Sequence, residues 1–470
     1  MASRIFSLQP KTVKPVRTKF RIIQTAVPVP QSVPILESLR ASEPVSMTGQ
    51  PAVLWASAQG CLVKDHWGNQ WLDWSSGVLV TNAGHGRKEI REAIVAQANS
   101  PLLHNYCFPN EARAALAKFL TELAPAPLKK CFLLTTGSEA TECAIKLAKT
   151  YGLKVGGKKK DVIVSFEHAF HGRTMGAQLA GGIPALKTWI SGTHPDFVQV
   201  PFPGDWRLSP ERQTFAAFEK ALADKGIAPE QVAGVISETY QGGSVAFQPI
   251  EFAQALRGWC TKHKVVMIFD EIQAGFGRCG TLFGFEYYGV VPDLACFGKG
   301  ISSSLPISSV LGVPEIMDLY GPGEMTSTHT GNPICCAAAL ANLKVIAGEK
   351  LYRNSAARGE ELAAGLEKIR ARHLERIARV KSRGLVAGMH CVQRGTTEPD
   401  ADLAFRVVER AVEKGLLLFG PVGFKGGTVK LCPPLVITAE ELADGLAALN
   451  EAFDEVVAEV EKEAPVAVAK

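Results

Sequence analysis

Val265-Val266-Met267-Ile268-Phe269-Asp270-Glu271-Ile272-Gln273-Ala274-Gly275-Phe276-Gly277-Arg278 is the stretch on which the reading of this chain turns. Its first five residues are apolar and rich in β-branching, as expected of a strand buried on both faces. Two carboxylates follow at once. In an open α/β sheet the ligand crevice lies outside the carboxyl ends of the strands, so Asp270 is placed to meet a ligand. Further on, Cys296-Phe297-Gly298-Lys299-Gly300 sets a lysine between two glycines, which allows close backbone approach on either side.

A carboxylate and an amine suit one chemistry in particular. Lysine amines form Schiff bases with carbonyl compounds, and a pyridoxal phosphate site needs that lysine together with an acid facing the pyridinium nitrogen. Each signal alone has a plainer reading: paired acids after a strand also bind Mg²⁺, and a lysine between glycines is usually a turn. The two together, Phe269 to Arg278 followed by Phe297-Gly298-Lys299-Gly300, closely resemble the class III aminotransferases, which include the 4-aminobutyrate and ornithine enzymes. The resemblance implies that Lys299 carries the cofactor, Asp270 pairs with the pyridine nitrogen and Gln273 contacts the ring hydroxyl.

The chain has 470 residues, 46% hydrophobic and 21% charged, enough for an ample core and more than one domain. No apolar run reaches the length of a membrane span. Of the formal net charge of +5, Arg4, Lys11, Lys14, Arg17, Lys19 and Arg21 supply six positive charges before any acid appears. The basic excess is an N-terminal arm, and no basic groove for nucleic acid is implied. An acid-free basic arm also fits a transit peptide, but Pro10, Pro15, Pro28 and Pro30 interrupt any amphipathic helix there, which favours a cytoplasmic protein. Ile5 to Leu8 is too short for a secretory signal. The 11 cysteines are scattered with no Cys-x-x-Cys pair, so they read as reduced thiols with neither a disulfide framework nor a metal site.

In chain order, residues 1 to about 50 read as an extended, proline-rich lead-in, and His66-Trp67-Gly68-Asn69 as a turn joining strands 60–65 and 70–74. Ser75 to His85 resembles the family segment at the substrate mouth, which makes Val78 a pocket wall; a core valine is the plainer alternative. Cys131 to Leu134 reads as a strand, Thr135-Thr136-Gly137 as a turn and Ser138 to Tyr151 as a helix. The open N–H groups of such a helix start attract anions, and the likeness of Gly137-Ser138-Glu139-Ala140 to the family's phosphate loop assigns Gly137 and Ser138 to the cofactor phosphate. After the strand 162–166, the family places the aromatic residue before His171-Gly172 against the pyridine ring, which is Phe170, with His171 in a supporting role.

The strand 234–238 ends in Glu238, which in the family pairs with an arginine that grips substrate carboxylate; Lys430 stands at that arginine's position, either gripping a carboxylate or capping its strand in solvent. Thr239 replaces the family's usual proline, and Ser302 to Ser304 replace its glycines, suggesting a smaller or more polar pocket beside Lys299. Thr328 matches the threonine that reaches the phosphate of a neighbouring subunit, so a homodimer or dimer of dimers is implied. Amphipathic helices are expected to about Arg379, then a strand at 428–432, a helix opened by Thr438 and Glu441, and a frayed tail from Ala464.

The resemblance covers residues 25 to 460. It implies an α/β, aspartate-aminotransferase-type fold, a mainly parallel sheet flanked by helices with a smaller α+β domain drawn from both termini. The expected divisions are 1–84, 85–345 and 346–470. The implied activity is ping-pong transfer of an amino group from an amino acid, ω-amino acid or amine to 2-oxoglutarate or pyruvate. A racemase or epimerase, a decarboxylating relative and a non-catalytic cofactor-binding protein are the alternatives.

Overall fold

The computed structural model describes residues 4–463, so the expected tail from Ala464 lies outside the described residues. They fall into two compact units. One comprises residues 80–83 and 88–353 and is built on a seven-stranded sheet. Its strands are β1 (Lys130–Leu134), β2 (Val162–Phe166), β3 (Phe197–Val200), β4 (Val232–Glu238), β5 (Val266–Asp270), β6 (Leu294–Phe297) and β7 (Ser308–Gly312), in the order β1-β7-β6-β5-β4-β2-β3. Only β7 runs antiparallel to its neighbours. The sheet is therefore mainly parallel, as the largely apolar sequences of β2, β4 and β5 foretell, and every residue of those three strands is buried.

Helix α1 (Gly137–Gly156) covers one face of the sheet. Ala140, Ala144 and Leu147 recur at helical spacing, are fully buried, and join a cluster with Ile163, Ile236, Ile268 and Cys296. Small side chains let the helix lie close: a Cβ at Gly234 of β4 would already sit 3.0 Å from that of Ala148. Helix α2 (Pro333–Gly348) packs on helices Lys88–Ala98 and Glu111–Leu123. The amphipathic run expected to Arg379 ends early, because after the helix Leu351–Arg372 residues Ile377–Arg383 form a strand.

The second unit comprises, of the described residues, 4–79, 84–87 and 354–463. Leu62–Lys64 and Gln70–Asp73 pair antiparallel around the expected turn, where Asp65 Oδ1 accepts from the N–H groups of Trp67 and Asn69 at 2.8 and 2.9 Å. A three-stranded antiparallel sheet of Ile377–Arg383, Val386–Cys391 and Thr428–Leu431 adjoins helix Ala401–Glu413. The capping box opening helix Ala439–Glu463 is formed, with the Glu441 N–H 3.2 Å from Thr438 Oγ1 and the Thr438 N–H 2.8 Å from Glu441 Oε2.

The lead-in is not simply extended: Val33–Ser42 is a helix, and four cations of the basic arm are paired. Arg21 grips both oxygens of Asp444 at 2.8 Å, Lys11 lies 3.6 Å from Glu413, Lys19 pairs with Glu440 and Arg4 with Asp402. Among the described residues no helix is long and apolar enough to cross a membrane.

Residues Ser76, Gly77, Val78 and Leu79 all have φ between 51° and 63°, a left-handed turn that costs roughly 1–2 kcal/mol per non-glycine residue. It is held by the Ser76 hydroxyl, which donates to the Cys432 carbonyl at 2.5 Å, and by Asp73, whose Oδ1 accepts from Ser75 while Oδ2 meets His85 Nε2 at 2.7 Å. The turn leaves Val78 41% exposed, so it is not a core valine.

Candidate active site

Five strands of the large sheet deliver side chains to one cavity at their carboxyl edge. β1 is followed by Gly137 and Ser138, β2 by Phe170 and His171, β4 ends in Glu238, β5 in Asp270, and β6 is followed by Lys299. The cavity holds about 170 Å³ and also takes in Gln273, so eight of the residues singled out in the sequence line one space.

At one end lies the start of α1. Thr136 and Glu139 form a reciprocal capping box, with the Glu139 N–H 3.2 Å from Thr136 Oγ1 and the Thr136 N–H 2.8 Å from Glu139 Oε2. That satisfies the third helical N–H and leaves those of Gly137 and Ser138 facing the cavity without helical partners. Ser138 Oγ accepts from the Arg173 N–H at 3.1 Å. The two loops meet this closely because Gly172 has φ +136° and no side chain; a Cβ there would lie 2.4 Å from Ser138 Oγ.

At the other end Asp270 is buried, with Oδ2 2.8 Å from His171 Nδ1 and Oδ1 accepting from the Ile272 N–H at 3.0 Å. Burial disfavours a charged His171, but the bond to Asp270 and the nearby Glu238 outweigh it and raise its pKa above the ordinary value. Glu238 accepts from the N–H groups of Phe170 and Gly242 at 3.1 and 2.8 Å, and burial pushes its carboxyl up to about 7. Lys299 is half-buried; burial pulls its ammonium below the ordinary pKa against the attraction of Asp270 and Glu238. A lysine so shifted has a larger nucleophilic fraction near neutral pH. The donor set fits pyridoxal phosphate: open N–H groups for a phosphate, an amine for an aldehyde, a carboxylate for a ring nitrogen. His171 Nε2, buried and without a hydrogen-bond partner, adds a polar atom aimed at no protein group.

The second acid of the pair does different work. Glu271 is 1% exposed and accepts from the Thr239 hydroxyl and, at 2.6 Å, from the Gly284 N–H. Thr239, where the family has proline, thus supplies a hydroxyl that a proline lacks. Burial raises the Glu271 carboxyl from 4.5 to about 7. A folded pKa above the unfolded one gives stability that is complete below about 4.5 and lost as pH rises through about 7. In urea unfolding between pH 5 and 8, Glu271→Gln is therefore expected to flatten the pH dependence by roughly 3 kcal/mol at most. An unchanged slope would count against a protonated Glu271.

Not every expected residue lies here. Thr328 is exposed and outside the cavity, on a loop anchored by Thr330 Oγ1 to the Leu133 carbonyl at 2.5 Å. Val78 and Lys430 belong to the other unit. Lys430 is 2% exposed in a strand paired on one edge, which excludes the reading of a solvent cap. The serines after Lys299 do not make the cavity more polar: Ser302 Oγ donates to the Leu305 carbonyl at 2.5 Å, and Ser303 Oγ accepts from the Ala83 N–H at 3.1 Å. Sequence reading passed over Arg173 and Tyr240, which also line the cavity. Arg173 sits one residue beyond the quoted His171-Gly172, and its guanidinium lies 5.5 Å from the centre of the Phe170 ring.

The family model for aminotransferase class-III matches residues 45–453. The chain is a class III aminotransferase. It is 34% identical over 428 residues to the 5-aminovalerate aminotransferase of Pseudomonas aeruginosa, covering 90% of this chain and 98% of that protein. It is also 34% identical to the 4-aminobutyrate aminotransferase of Escherichia coli, covering 85% and 92%. Among solved structures, an amine transaminase from an uncultivated Pseudomonas species, in its pyridoxal-phosphate-bound form, superposes with a TM-score of 0.79 at 28% identity, over 86% of this chain and 95% of that one. The aminotransferase has the fold expected of it and uses pyridoxal phosphate for transamination. The racemase, decarboxylase and non-catalytic alternatives are not favoured by any of these likenesses.

Proposed function

We propose that this aminotransferase takes its amino group from an ω-amino acid of the 4-aminobutyrate or 5-aminovalerate kind and passes it to 2-oxoglutarate or pyruvate. The observation that carries the proposal is Arg173, an exposed residue at the rim of the cavity that Lys299 lines, with its guanidinium beside the Phe170 ring. An ω-amino acid carries its carboxylate several bonds from the reacting amine, and a guanidinium fork suits that anion. The names of the two relatives point the same way.

Lys299 would hold the cofactor through its amine, and the same amine is placed to take the proton from the substrate carbon. Asp270, oriented by His171, would keep the ring nitrogen protonated; Gln273 would hold the ring hydroxyl, Phe170 the ring face, and Gly137 and Ser138 the phosphate. Bound pyridoxal phosphate supplies a ring that draws electrons from the substrate carbon.

Thr328 reaches the phosphate of a second subunit in a homodimer. Support comes from Leu102, Leu103, Tyr106 and Phe108, 40–73% exposed beside the Thr328 loop, where Tyr106 Oη lies 2.9 Å from Thr326 Oγ1 and Asn332 Nδ2 donates to the Leu103 carbonyl at 2.9 Å. A cytoplasmic setting is supported by eleven cysteines, eight of them buried, that form no disulfide among the described residues.

The test is a donor series. Arg173→Leu is expected to raise KM for 4-aminobutyrate and 5-aminovalerate by roughly tenfold or more, the loss of a charge-assisted pair, while leaving 1-butylamine nearly unchanged. Equal effects on both donor types, or no turnover of either ω-amino acid by the unaltered enzyme, would overturn the proposal.

A further inference from the structure

Asn342 is a buried polar side chain on α2, beside Ala338, Ala339 and Leu343, which are also buried. It is 0% exposed, and its Nδ2 donates to two successive carbonyls, Gly300 and Ile301, both at 2.8 Å. Its Oδ1 is buried with no partner. A side chain that tolerates an orphaned acceptor to make two bonds with one loop is doing something specific for that loop.

The loop is the turn that bears the reactive amine. Lys299 opens a 3₁₀ turn, Lys299–Ile301, with the Ile301 N–H 3.0 Å from the Gly298 carbonyl. Its φ is +43°, a left-handed conformation in which a residue with a Cβ persists only when its surroundings dictate it. Those surroundings are tight. A Cβ at Gly300 would lie 2.4 Å from Asn82 Nδ2, which is itself tied to the Phe276 carbonyl at 3.0 Å. Ser303, again at positive φ, +53°, is bound by the Ala83 N–H. On the α2 side Asn342 grips the turn by its carbonyls.

We propose that Asn342 is a positioning residue that holds the Lys299 turn in its left-handed form and so aims the Lys299 amine at the cofactor aldehyde. The inference rests on the reading of Lys299 as the cofactor-bearing amine. The step it serves is simple: the amine nitrogen attacks the aldehyde carbon and the carbonyl oxygen leaves as water. Relaxation of the turn leaves the phosphate end of the site, Gly137 and Ser138, untouched but moves the nitrogen out of attack geometry.

The experiment adds pyridoxal phosphate to cofactor-stripped unaltered protein, to Asn342→Leu, which keeps the volume but donates nothing, and to Asn342→Ser, a milder change. Three quantities are read: the rate of covalent attachment by absorbance, the pH midpoint of the bound cofactor's absorbance, and the affinity for pyridoxamine phosphate, which has no aldehyde to attack. Attachment is expected to slow by roughly tenfold to a hundredfold in Asn342→Leu, with a shifted pH midpoint and unchanged pyridoxamine phosphate affinity. Attachment at the unaltered rate and pH midpoint in either folded variant would overturn the proposal, as would weakened pyridoxamine phosphate binding with no change in rate, which marks a packing role alone. Failure of the unaltered protein to attach the cofactor would instead overturn the reading of Lys299.

Discussion

Lys299→Ala is expected to leave a folded protein that holds no covalent cofactor and has lost transamination on the order of a millionfold, the scale on which losing a covalent nucleophile is felt. Folding is spared for a physical reason: the ammonium is disfavoured by its own burial, so its removal takes away a cost as well as an attraction to Asp270 and Glu238. The check is mass analysis after borohydride reduction of the variant with pyridoxal phosphate. An adduct trapped at another lysine with the same efficiency would show that Lys299 is not the amine in question. Pyridoxamine phosphate should still bind, because Gly137 and Ser138 present their N–H groups from α1 whether or not the lysine is present.

Asp270→Asn is expected to cost about three powers of ten or more in turnover, since an amide cannot keep a ring nitrogen protonated and charge stabilisation is usually the largest catalytic contribution. The loss should exceed that of an ordinary hydrogen bond because Asp270 also acts through His171. The His171 pKa is held up by its bond to Asp270 at 2.8 Å, so it should fall in the variant. Proton NMR titration of the imidazole beside steady-state kinetics reads both effects. Near-normal turnover in Asp270→Asn would reject the role of Asp270, and an unmoved His171 titration would reject the coupling.

Much of the sheet and the positions of the cavity residues could be read from the sequence, because the signals are local. β5 is an apolar run ending in an acid, α1 follows a glycine turn at a strand end, and Lys299 lies three residues beyond Cys296 of β6. What escaped depends on distant partners or on tolerated exceptions. Helix Val33–Ser42 carries Pro34 in its first turn, where a missing N–H costs nothing, so that proline hid it within a proline-rich stretch that reads as extended. The directions of the Ser302 and Ser303 hydroxyls are set by their partners in the folded chain, here the Leu305 carbonyl and the Ala83 N–H. Asn342 lies in an alanine-rich helix forty residues from the carbonyls it binds, and no local pattern marks it. The left-handed turn at Ser76–Leu79 contains three residues that disfavour such a backbone, and only the bonds from Asp73, Ser76 and His85 explain why it holds.

The pairing of the basic arm with acids between residues 402 and 444 has a consequence for how the protein is made. Arg21 cannot meet Asp444, nor Lys11 meet Glu413, until those acids have left the ribosome. Residues 88–353 can assemble their sheet earlier, as domains generally fold while later ones are still being synthesised. At ordinary rates of synthesis the first eighty residues wait a further 6 to 23 s, roughly, for residues 354–470 to be added. During that interval buried side chains such as Ile23, Val63 and Trp71 remain without the partners Val412 and Leu417 that complete their core. The opening of the chain thus carries uncovered apolar side chains through that interval, the condition that chaperones guard against.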